Sequence, residues 1–509
     1  MRLVLILLVL AAAGAARADA LTPAEAREEV ALVRRAMDYA YPGFGRFAER
    51  AEFDAALDAI AADPPADSDA MYAALAGAAA RLKDSHLVMQ PASAITRRAR
   101  RAAVYAPWRC DIRNGRLFAT EVTAAAQAAG LAPGDEVLSV DGVAAADYLA
   151  AARALVAQDG DNDRARDAQL CGGGGDFSGS DLDHYSAMLF PSAADQALTV
   201  RTGEGAERAV SAPRITLDGL IDAFGGAWAE RGASARRDIL YLPLSAEAAY
   251  LRVGSFQTGP DGPRILSRAF EDMFARGTRA LILDLRGNGG GSSLMALTLL
   301  RYLAEERVQL ITLAQAAAED FAPIADIAAM TDERLLEPGL FAPFAGGGWR
   351  AHGPEFDGML APHPPLQPGF RGDLYVLIDP LTDSNAALVA ARLKRWGAGT
   401  LIGEMTGGSA QGPVGGMFAF VALPHSGHSL RIPLLRQYAQ SAGDPGHGVA
   451  PDIEMRPELA DLAAGRDPVL TRALSLARIQ MAGPAPVRPG TGRSAPLLAP
   501  LGPAEIPDR

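Results

Sequence analysis

Lysine and cysteine are both scarce in this sequence of 509 residues, which contains only Lys83 and Lys394, and only Cys110 and Cys171. Basic residues cluster only over a short segment, Arg-Arg-Ala-Arg-Arg at residues 97–101, and the formal net charge is −12. Proteins that bind nucleic acid or anionic membranes need clustered positive charge. The composition therefore argues against both kinds of partner, and it gives no sign of steering toward acidic substrates.

The sequence also lacks the motifs of metal and nucleotide sites. It contains no Cys/His cluster, no H-E-x-x-H segment and no glycine-rich phosphate loop. We therefore expect neither a metal nor an organic cofactor. With 49% hydrophobic and 21% charged residues, the chain has an ordinary globular composition and is long enough for two or three domains.

Residues 1–20 have the charged start, short apolar centre and small-residue end of a secretory signal peptide. The apolar centre is too short to span a bilayer, so we expect cleavage, no stable membrane insertion, and a periplasmic or secreted protein. In such an oxidising compartment Cys110 and Cys171 are candidates for a disulfide. Two separate buried thiols remain the alternative, because the sequence does not show whether their Cα atoms approach each other.

The stretch on which the functional argument depends begins with an apolar segment at residues 374–378. A break at Asp379–Pro380, a polar turn and an Ala/Leu-rich segment ending at Gly397 follow, which predicts a buried strand, a tight turn and a helix. Ser384 then lies at the helix N-terminus, where N–H groups and the helix dipole favour an anion beside the serine oxygen. From this stretch alone, a simple N-cap is the competing interpretation, since Thr, Asp, Ser and Asn are all preferred there.

A second stretch is an apolar strand at residues 280–284 that runs into Arg286 and a glycine turn at residues 287–291. Together the two stretches resemble the catalytic domain of the S41 serine peptidases, the family of C-terminal processing proteases and the tricorn core protease. Further matching segments follow in the family order: residues 402–408, 423–428 and 446–452. The resemblance implies that Ser384 is the nucleophile. It also implies an oxyanion hole built from backbone N–H groups of Gly289, Gly290 and Asn385.

The same resemblance narrows the choice of base. S41 enzymes of the lysine branch place the base in a T-F-G-K-G turn, and here Ser409 occupies the lysine position. Lys394 follows Ser384 by nearly three helical turns, roughly 15 Å along the predicted helix, and is out of reach. We therefore expect a histidine base.

The tricorn-like branch carries a Ser-His pair after Leu-x-Asp, and the segment at residues 82–86 matches it. The resemblance gives His86 as the base and Ser85 as a residue that orients it. A surface histidine at a helix end is the alternative interpretation, and His447 is the second candidate base. The family usually has a glutamate just before G-x-G-V-x-P-D; here Pro445 occupies that position, and Asp444, which precedes it, is the candidate orienting carboxylate.

The predicted fold is a multidomain α/β protein: a crotonase-like S41 catalytic domain with an N-terminal helical cap and a PDZ-like β domain. The PDZ resemblance rests on residues 125–143. Polar insertions at residues 159–163 and 171–180 interrupt this module. We therefore expect either an altered or blocked peptide groove, or a module that serves only for structural docking. The predicted boundaries are a signal peptide at 1–20, a helical domain at 21–98, the PDZ-like domain at 103–210, the catalytic domain at 238–481 and a disordered tail at 482–509.

These features predict an exported serine peptidase that cleaves peptides or unfolded protein tails through a Ser384 acyl-enzyme. A protein of a different class is the alternative: a catalytically inactive peptide- or apolar-ligand-binding protein on the same fold. Three departures from the family favour that alternative: Ala387 in place of a common glutamate, the missing glutamate near Asp444 and the interrupted PDZ-like module. The pairing of Ser384 with His86 opposes it. The sequence does not indicate an oligomeric state.

Overall fold

The computed structural model of the chain describes residues 20–92, 103–172, 180–190, 193–224, 239–439 and 446–478. Several predicted features lie outside the described residues: positions 1–19 of the signal peptide, positions 173–179 of the second insertion, Asp444 and the tail at 482–509.

Three helices form the N-terminal part, as the helical spacing predicted: α1 (Pro23–Ala40), α2 (Arg50–Ala62) and α3 (Ser68–Ala80). Thr22 caps α1 in a capping box with Glu25. The chain then leaves the helices and forms β1 (Val88–Gln90), which pairs antiparallel with residues Ser429–Pro433. This strand attaches the segment containing His86 to the C-terminal half of the molecule.

The second part of the chain is an antiparallel sheet of order β2-β3-β4-β6-β7, with β5 beside β4. Its strands are β2 (Trp108–Arg113), β3 (Arg116–Val122), β4 (Glu136–Val140), β5 (Val143–Ala144), β6 (Asp195–Arg201) and β7 (Glu207–Pro213). Its helices are α4 (Ala124–Ala128), α5 (Ala145–Arg153), α6 (Asp163–Gly172), α7 (Asp181–Leu189) and α8 (Leu217–Phe224). Helix α6 lies largely between the two segments predicted as polar insertions, and α7 begins directly after the second.

A disulfide joins Cys110 in β2 to Cys171 near the end of α6, with the two Cα atoms 5.2 Å apart. Of the two alternatives left open by the sequence, the structure therefore has the paired cysteines. The bond fastens α6 to the sheet, which matters below because the loop before α6 reaches the candidate active site.

The third part contains strands β8 to β20 and helices α9 to α14. The strands are β8 (Ile239–Pro243), β9 (Ala248–Val253), β10 (Ala280–Asp284), β11 (Leu313–Ala316), β12 (Ala328–Met330), β13 (Phe341–Pro343), β14 (Trp349–Ala351), β15 (Asp373–Ile378), β16 (Thr400–Gly403), β17 (Phe418–Ala422), β18 (Ser429–Pro433), β19 (Arg436–Tyr438) and β20 (Ile453–Glu454). The helices are α9 (Gly262–Arg276), α10 (Ser293–Leu303), α11 (Asp357–Leu360), α12 (Ser384–Trp396), α13 (Leu459–Ala463) and α14 (Pro468–Leu476).

The main sheet of this part has the order β20-β16-β15-β10-β9-β8, and only the β8–β9 pair is antiparallel. Strand β10 is buried along its whole length. Successive side chains of a strand point to opposite faces. Accordingly, Leu281 and Leu283 pack in the core that includes α9, α10 and α12, whereas Ile282 packs with residues of α14. Helices therefore cover both faces of the sheet.

Two smaller sheets complete the third part, with orders β1-β18-β17-β12 and β13-β14-β11-β19. The stretch from Ala314 to Gly369 supplies β12, β13 and β14 together with most of β11. Within the ranges that the structure describes, no helix is both long enough and apolar enough to cross a membrane.

Candidate active site

The two glycine- and serine-containing turns meet at one edge of the main sheet. Strands β10 and β15 are parallel neighbours, so their carboxyl ends lie side by side. The Asp383 N–H donates to the Asn288 carbonyl at 2.9 Å, and the Gly287 N–H donates to Asp379 Oδ1 at 2.9 Å. Backbone and side-chain hydrogen bonds thereby fix the two turns to each other.

Ser384 is the first residue of α12, and Asp383 is the N-cap, since its Oδ1 accepts the Ser384 N–H at 2.7 Å. The capping function that competed for Ser384 thus falls to Asp383. Ser384 has a φ of +51°, in the left-handed region that residues with a Cβ rarely adopt. Such strained residues cluster at functional sites, where the surrounding structure holds them in place.

The His86 ring faces Ser384, with Nε2 3.1 Å from Ser384 Oγ. The ring lies nearly parallel to that of Phe418, and a Cβ built on Gly415 would lie 3.1 Å from His86 Cδ2. Arg431 Nε donates to the His86 carbonyl at 3.2 Å. Neighbours on several sides therefore hold the imidazole toward the serine.

Behind the histidine lies a chain of polar contacts that crosses from the N-terminal part of the fold into the second part. Ser85 Oγ lies 3.1 Å from His86 Nδ1 and donates to Asp159 Oδ1 at 2.9 Å. The Ser85 N–H donates to the same oxygen at 3.1 Å, and the Ser409 N–H donates to Asp159 Oδ2 at 3.1 Å. The hydroxyl that sequence analysis predicted to orient His86 thus lies between the imidazole and a buried carboxylate.

A second carboxylate, Asp84, is also buried beside the histidine. Its two oxygens accept the His86 N–H at 2.9 Å and the Tyr41 hydroxyl at 2.8 Å. Asp84, His86 and Asp159 could each offer a metal ligand atom within 4.8 Å of one another. All of those atoms are already used in hydrogen bonds within the protein, so this geometry favours a hydrogen-bonded relay.

Burial dominates the electrostatics of this cluster. It lowers the pKa of the His86 imidazole, an effect that the charges of Asp159 and Asp84 partly oppose. Burial, followed by the charge of Asp159, raises the pKa of Asp84 to about 6 and that of Asp383 to about 7. The cluster therefore disfavours a negative charge on all three carboxyl groups at once.

The predicted oxyanion residues lie beside Ser384. A Cβ built on Gly290 would lie 3.0 Å from Ser384 Oγ and 3.1 Å from the Asn385 nitrogen. The Asn385 N–H and the Gly289 N–H have no hydrogen-bond partner in the described part of the chain. The Gly290 N–H, in contrast, donates to Asn288 Oδ1 at 2.8 Å.

The other candidate bases lie elsewhere. The ammonium groups of Lys83 and Lys394 contact Asp161 at 2.5 Å and Asp452 at 3.2 Å. The His447 carbonyl accepts the Ala410 N–H at 3.0 Å. Among the histidines that the structure describes, His86 alone makes a hydrogen bond with Ser384.

A buried ion-pair network lies beside the glycine turn. Arg286 donates to Asp284 at 2.7 Å and to Asp467 at 2.8 Å, and the Tyr250 hydroxyl donates to Asp284 at 2.8 Å. These contacts indicate that Asp284 and Arg286 have a structural role beside the glycine turn. They also connect the turn to the start of α14.

Sequence reasoning missed Asp159 as a member of the site. It treated the polar segment around Asp159 as an insertion in a peptide groove, and 74 positions separate this residue from Ser85. No spacing rule connects positions so far apart. The only available signal was a Leu-x-Asp-Ser-His segment whose serine needs an acceptor.

With this geometry established, the chain was compared with known proteins. Residues 247–455 match the sequence profile described as Peptidase family S41. No curated protein matched the chain. Among solved structures, mature CPAF complexed with lactacystin is 15% identical with a TM-score of 0.61, and the match covers 90% of this chain and 98% of that one.

A second structure of mature CPAF is 16% identical, with a TM-score of 0.59 and coverage of 90% and 97%. The photosystem II D1 C-terminal processing protease is 16% identical, with a TM-score of 0.41 and coverage of 87% and 95%. At these identities the CPAF likeness describes the fold, a multidomain α/β arrangement.

The sequence profile identifies a serine peptidase domain in this chain. Residues 247–455 form a domain of peptidase family S41.

Proposed function

We propose that the protein hydrolyses peptide bonds through a Ser384 acyl-enzyme, with His86 as the general base. The observation that carries this proposal is the 3.1 Å contact between His86 Nε2 and Ser384 Oγ at the start of α12. A serine hydroxyl is a weak nucleophile until an adjacent base accepts its proton. Ser384, with its left-handed backbone, is the first residue of α12, directly after the turn from β15.

In the acylation step, Ser384 Oγ attacks the substrate carbonyl carbon while His86 Nε2 takes the hydroxyl proton. The imidazolium then donates that proton to the leaving amine, and water, deprotonated in the same way, cleaves the ester. The negative charge on the carbonyl oxygen needs donors that are already in place. We assign the Asn385 N–H as the first donor, since it has no partner among the described residues.

The second donor comes from the glycine turn. The Gly290 N–H would have to leave Asn288 Oδ1 to serve, whereas the Gly289 N–H has no partner within the described ranges. We therefore favour Gly289 for this role, with Gly290 keeping the space beside Ser384 open.

The paired serine and histidine argue against the inactive binding protein that the sequence left as an alternative. A binding protein has no need for a buried base aimed at a strained serine. A fluorophosphonate probe, which reacts with activated serines, separates the two functions. Labelling that is lost in both Ser384→Ala and His86→Ala supports the peptidase, whereas an unlabelled wild-type protein supports the binding protein.

We further propose that the substrates are peptides or unfolded protein tails, and that the protein is exported. The antiparallel sheet β2–β7 supports a PDZ-like assignment, and the main sheet with its covering helices supports a crotonase-like one. PDZ domains hold an extended chain as an added strand. Disulfides form in oxidising compartments, so the Cys110–Cys171 bond supports export.

The substrate proposal is tested by removing residues 173–179 and comparing short fluorogenic peptides with an unfolded protein. If that segment blocks a docking groove, its removal should raise cleavage of the protein and leave short-peptide turnover nearly unchanged. Equal effects on both substrates would contradict tail recognition. For the catalytic proposal itself, Ser384→Ala should abolish hydrolysis in a variant that unfolds at the wild-type temperature, and retained turnover would refute it.

A further inference from the structure

We propose that Asp159, supplied by the second part of the chain, is the carboxylate that orients His86 through Ser85. The inference rests on the proposed function, because it assigns a positioning residue to the same reaction. Asp159 would then have the role of orienting His86 that the family resemblance implied for Asp444. The active site would then be completed by a group from outside the S41 domain at residues 247–455.

The hydrogen bonds of Asp159 are those of a carboxylate anion. Its Oδ1 accepts the Ser85 hydroxyl at 2.9 Å and the Ser85 N–H at 3.1 Å, and its Oδ2 accepts the Ser409 N–H at 3.1 Å. In all three contacts a carboxylate oxygen is the acceptor. Asp159 therefore presents its charge to the far side of the Ser85 hydroxyl.

The direction of these bonds sets the tautomer of the histidine. A serine hydroxyl has one proton, and Ser85 donates it to Asp159, so Ser85 Oγ can only accept from His86 Nδ1 at 3.1 Å. The ring proton then resides on Nδ1, which leaves the Nε2 lone pair facing Ser384 Oγ. When Nε2 takes the serine proton, the charge of Asp159 stabilises the imidazolium through Ser85.

The neighbouring carboxyl groups are not placed for this role. Asp84 Oδ1 is 4.0 Å from His86 Nδ1, and its oxygens accept the His86 N–H and the Tyr41 hydroxyl. Asp383 Oδ1 accepts the Ser384 N–H at 2.7 Å as the cap of α12. The Ser85 hydroxyl also lowers the pKa of Asp383, against the larger effect of burial, but Asp159 accepts both the hydroxyl and the backbone N–H of Ser85.

The loop that carries Asp159 is built into the active site. The Gly160 N–H donates to the Lys83 carbonyl at 3.0 Å, three residues before His86. A Cβ on Gly160 would lie 2.3 Å from the Gly446 Cα, so the two backbones are in close contact. The loop leads directly into α6, which the Cys110–Cys171 disulfide fastens to the sheet. This packing holds the carboxylate at a fixed distance from Ser85.

The test compares Asp159→Asn, Ser85→Ala and Asp161→Asn in the full chain on a short peptide. An asparagine has one oxygen for the three donors that converge on Asp159 and carries no charge, so it cannot stabilise the imidazolium through Ser85. We expect Asp159→Asn to lower kcat on the order of 10²–10⁴-fold with little change in KM. Asp161→Asn makes the same chemical change on the same loop, where the side chain is 82% exposed, and should retain wild-type kcat.

The pH profile separates positioning from mere support of the fold. The charged groups facing His86 are Asp159 and Asp84, which raise the pKa of the imidazole, and Arg431, which lowers it. With the Asp159 charge removed, the acid limb of kcat/KM should move to lower pH. A variant that is only partly folded would lose amplitude without moving the limb.

Ser85→Ala and the double variant with Asp159→Asn give two further tests of the proposal. If Asp159→Asn fails to fold, Ser85→Ala decides, because it keeps both backbone donors to Asp159 and removes only the bridging hydroxyl. The double variant should be no slower than the slower single one, since both break the same relay. Wild-type kcat and an unmoved pH limb in Ser85→Ala and Asp159→Asn would overturn the proposal, as would a large loss confined to Asp444→Asn.

Ser384→Ala distinguishes this failure from failure of the proposed function. An inactive Ser384→Ala together with a fully active Asp159→Asn overturns the role of Asp159 alone. Turnover by Ser384→Ala overturns the acyl-enzyme itself, and the positioning role with it.

Discussion

Ser384 Oγ lies 3.1 Å from His86 Nε2, although 298 positions separate the two residues in the chain. Replacing His86 by alanine removes the only histidine that hydrogen-bonds this serine in the described residues. General-base catalysis contributes about 10²–10⁴-fold, so His86→Ala should lower kcat by about that factor. The measurement is steady-state hydrolysis of a fluorogenic peptide. His447→Ala is the control, and a larger loss in that variant would mean that the base is His447.

The pH dependence follows from the burial of His86. Burial lowers the pKa of the imidazole below its ordinary value of 6.5, and Asp159 and Asp84 offset part of this effect. The base must be neutral, so activity should be present above the lowered pKa and disappear as the pH falls through it. We expect the acid limb of kcat/KM below 6.5. A limb above that value would show that His86 is more solvated than the structure indicates.

Gly290 borders the oxyanion site. An alanine methyl at this position would lie 2.6 Å from Ser384 Cβ and 3.1 Å from the Asn385 nitrogen. It would occupy the space that the substrate oxyanion needs, and loss of an oxyanion-hole donor costs about 10²–10³-fold in kcat. We expect Gly290→Ala to lose at least that factor, measured as the rate of labelling by a fluorophosphonate.

A matched control separates this steric effect from backbone strain. Gly205 has a φ of +90°, close to the +94° of Gly290, but a Cβ there would meet no atom within 4 Å. Gly205→Ala should therefore introduce comparable strain and leave the labelling rate unchanged. Equal losses in the two variants would indicate that strain, rather than occupation of the site, is responsible.

The ion-pair network beside the glycine turn predicts a large loss of stability when one of its partners is removed. Asp467→Ala would leave the buried Arg286 guanidinium with an incomplete set of partners. Breaking a buried pair on one side costs about 3–5 kcal/mol, which we expect as the loss in unfolding free energy in urea. Asp326 makes a similar pair with Arg35 on the surface, and Asp326→Ala should leave stability nearly unchanged. A stable Asp467→Ala variant would show that water or other groups solvate Arg286.

Much of the site was already determined by the sequence. The apolar segment before Asp379 and the Ala/Leu-rich segment after Ser384 predicted a strand, turn and helix, and the structure has β15 and α12 in those places. Periodicity and turn residues are local signals, which is why these elements could be predicted. The resemblance to the S41 family added Ser384 and His86 as partners, and the structure brings their side chains into contact.

Only the tertiary structure decided which carboxylate lies behind the histidine. The sequence pointed to Asp444 by its position in a motif, whereas the folded chain places Asp159 at 2.9 Å from Ser85 Oγ. That contact depends on how α6 packs against β2 and on a loop pressed against Gly446, and neither leaves a periodic or short-range pattern. Local sequence therefore specified the strands, helices and turns that carry the reacting groups. The hydrogen-bond partners of those groups depended on long-range packing between separate parts of the chain.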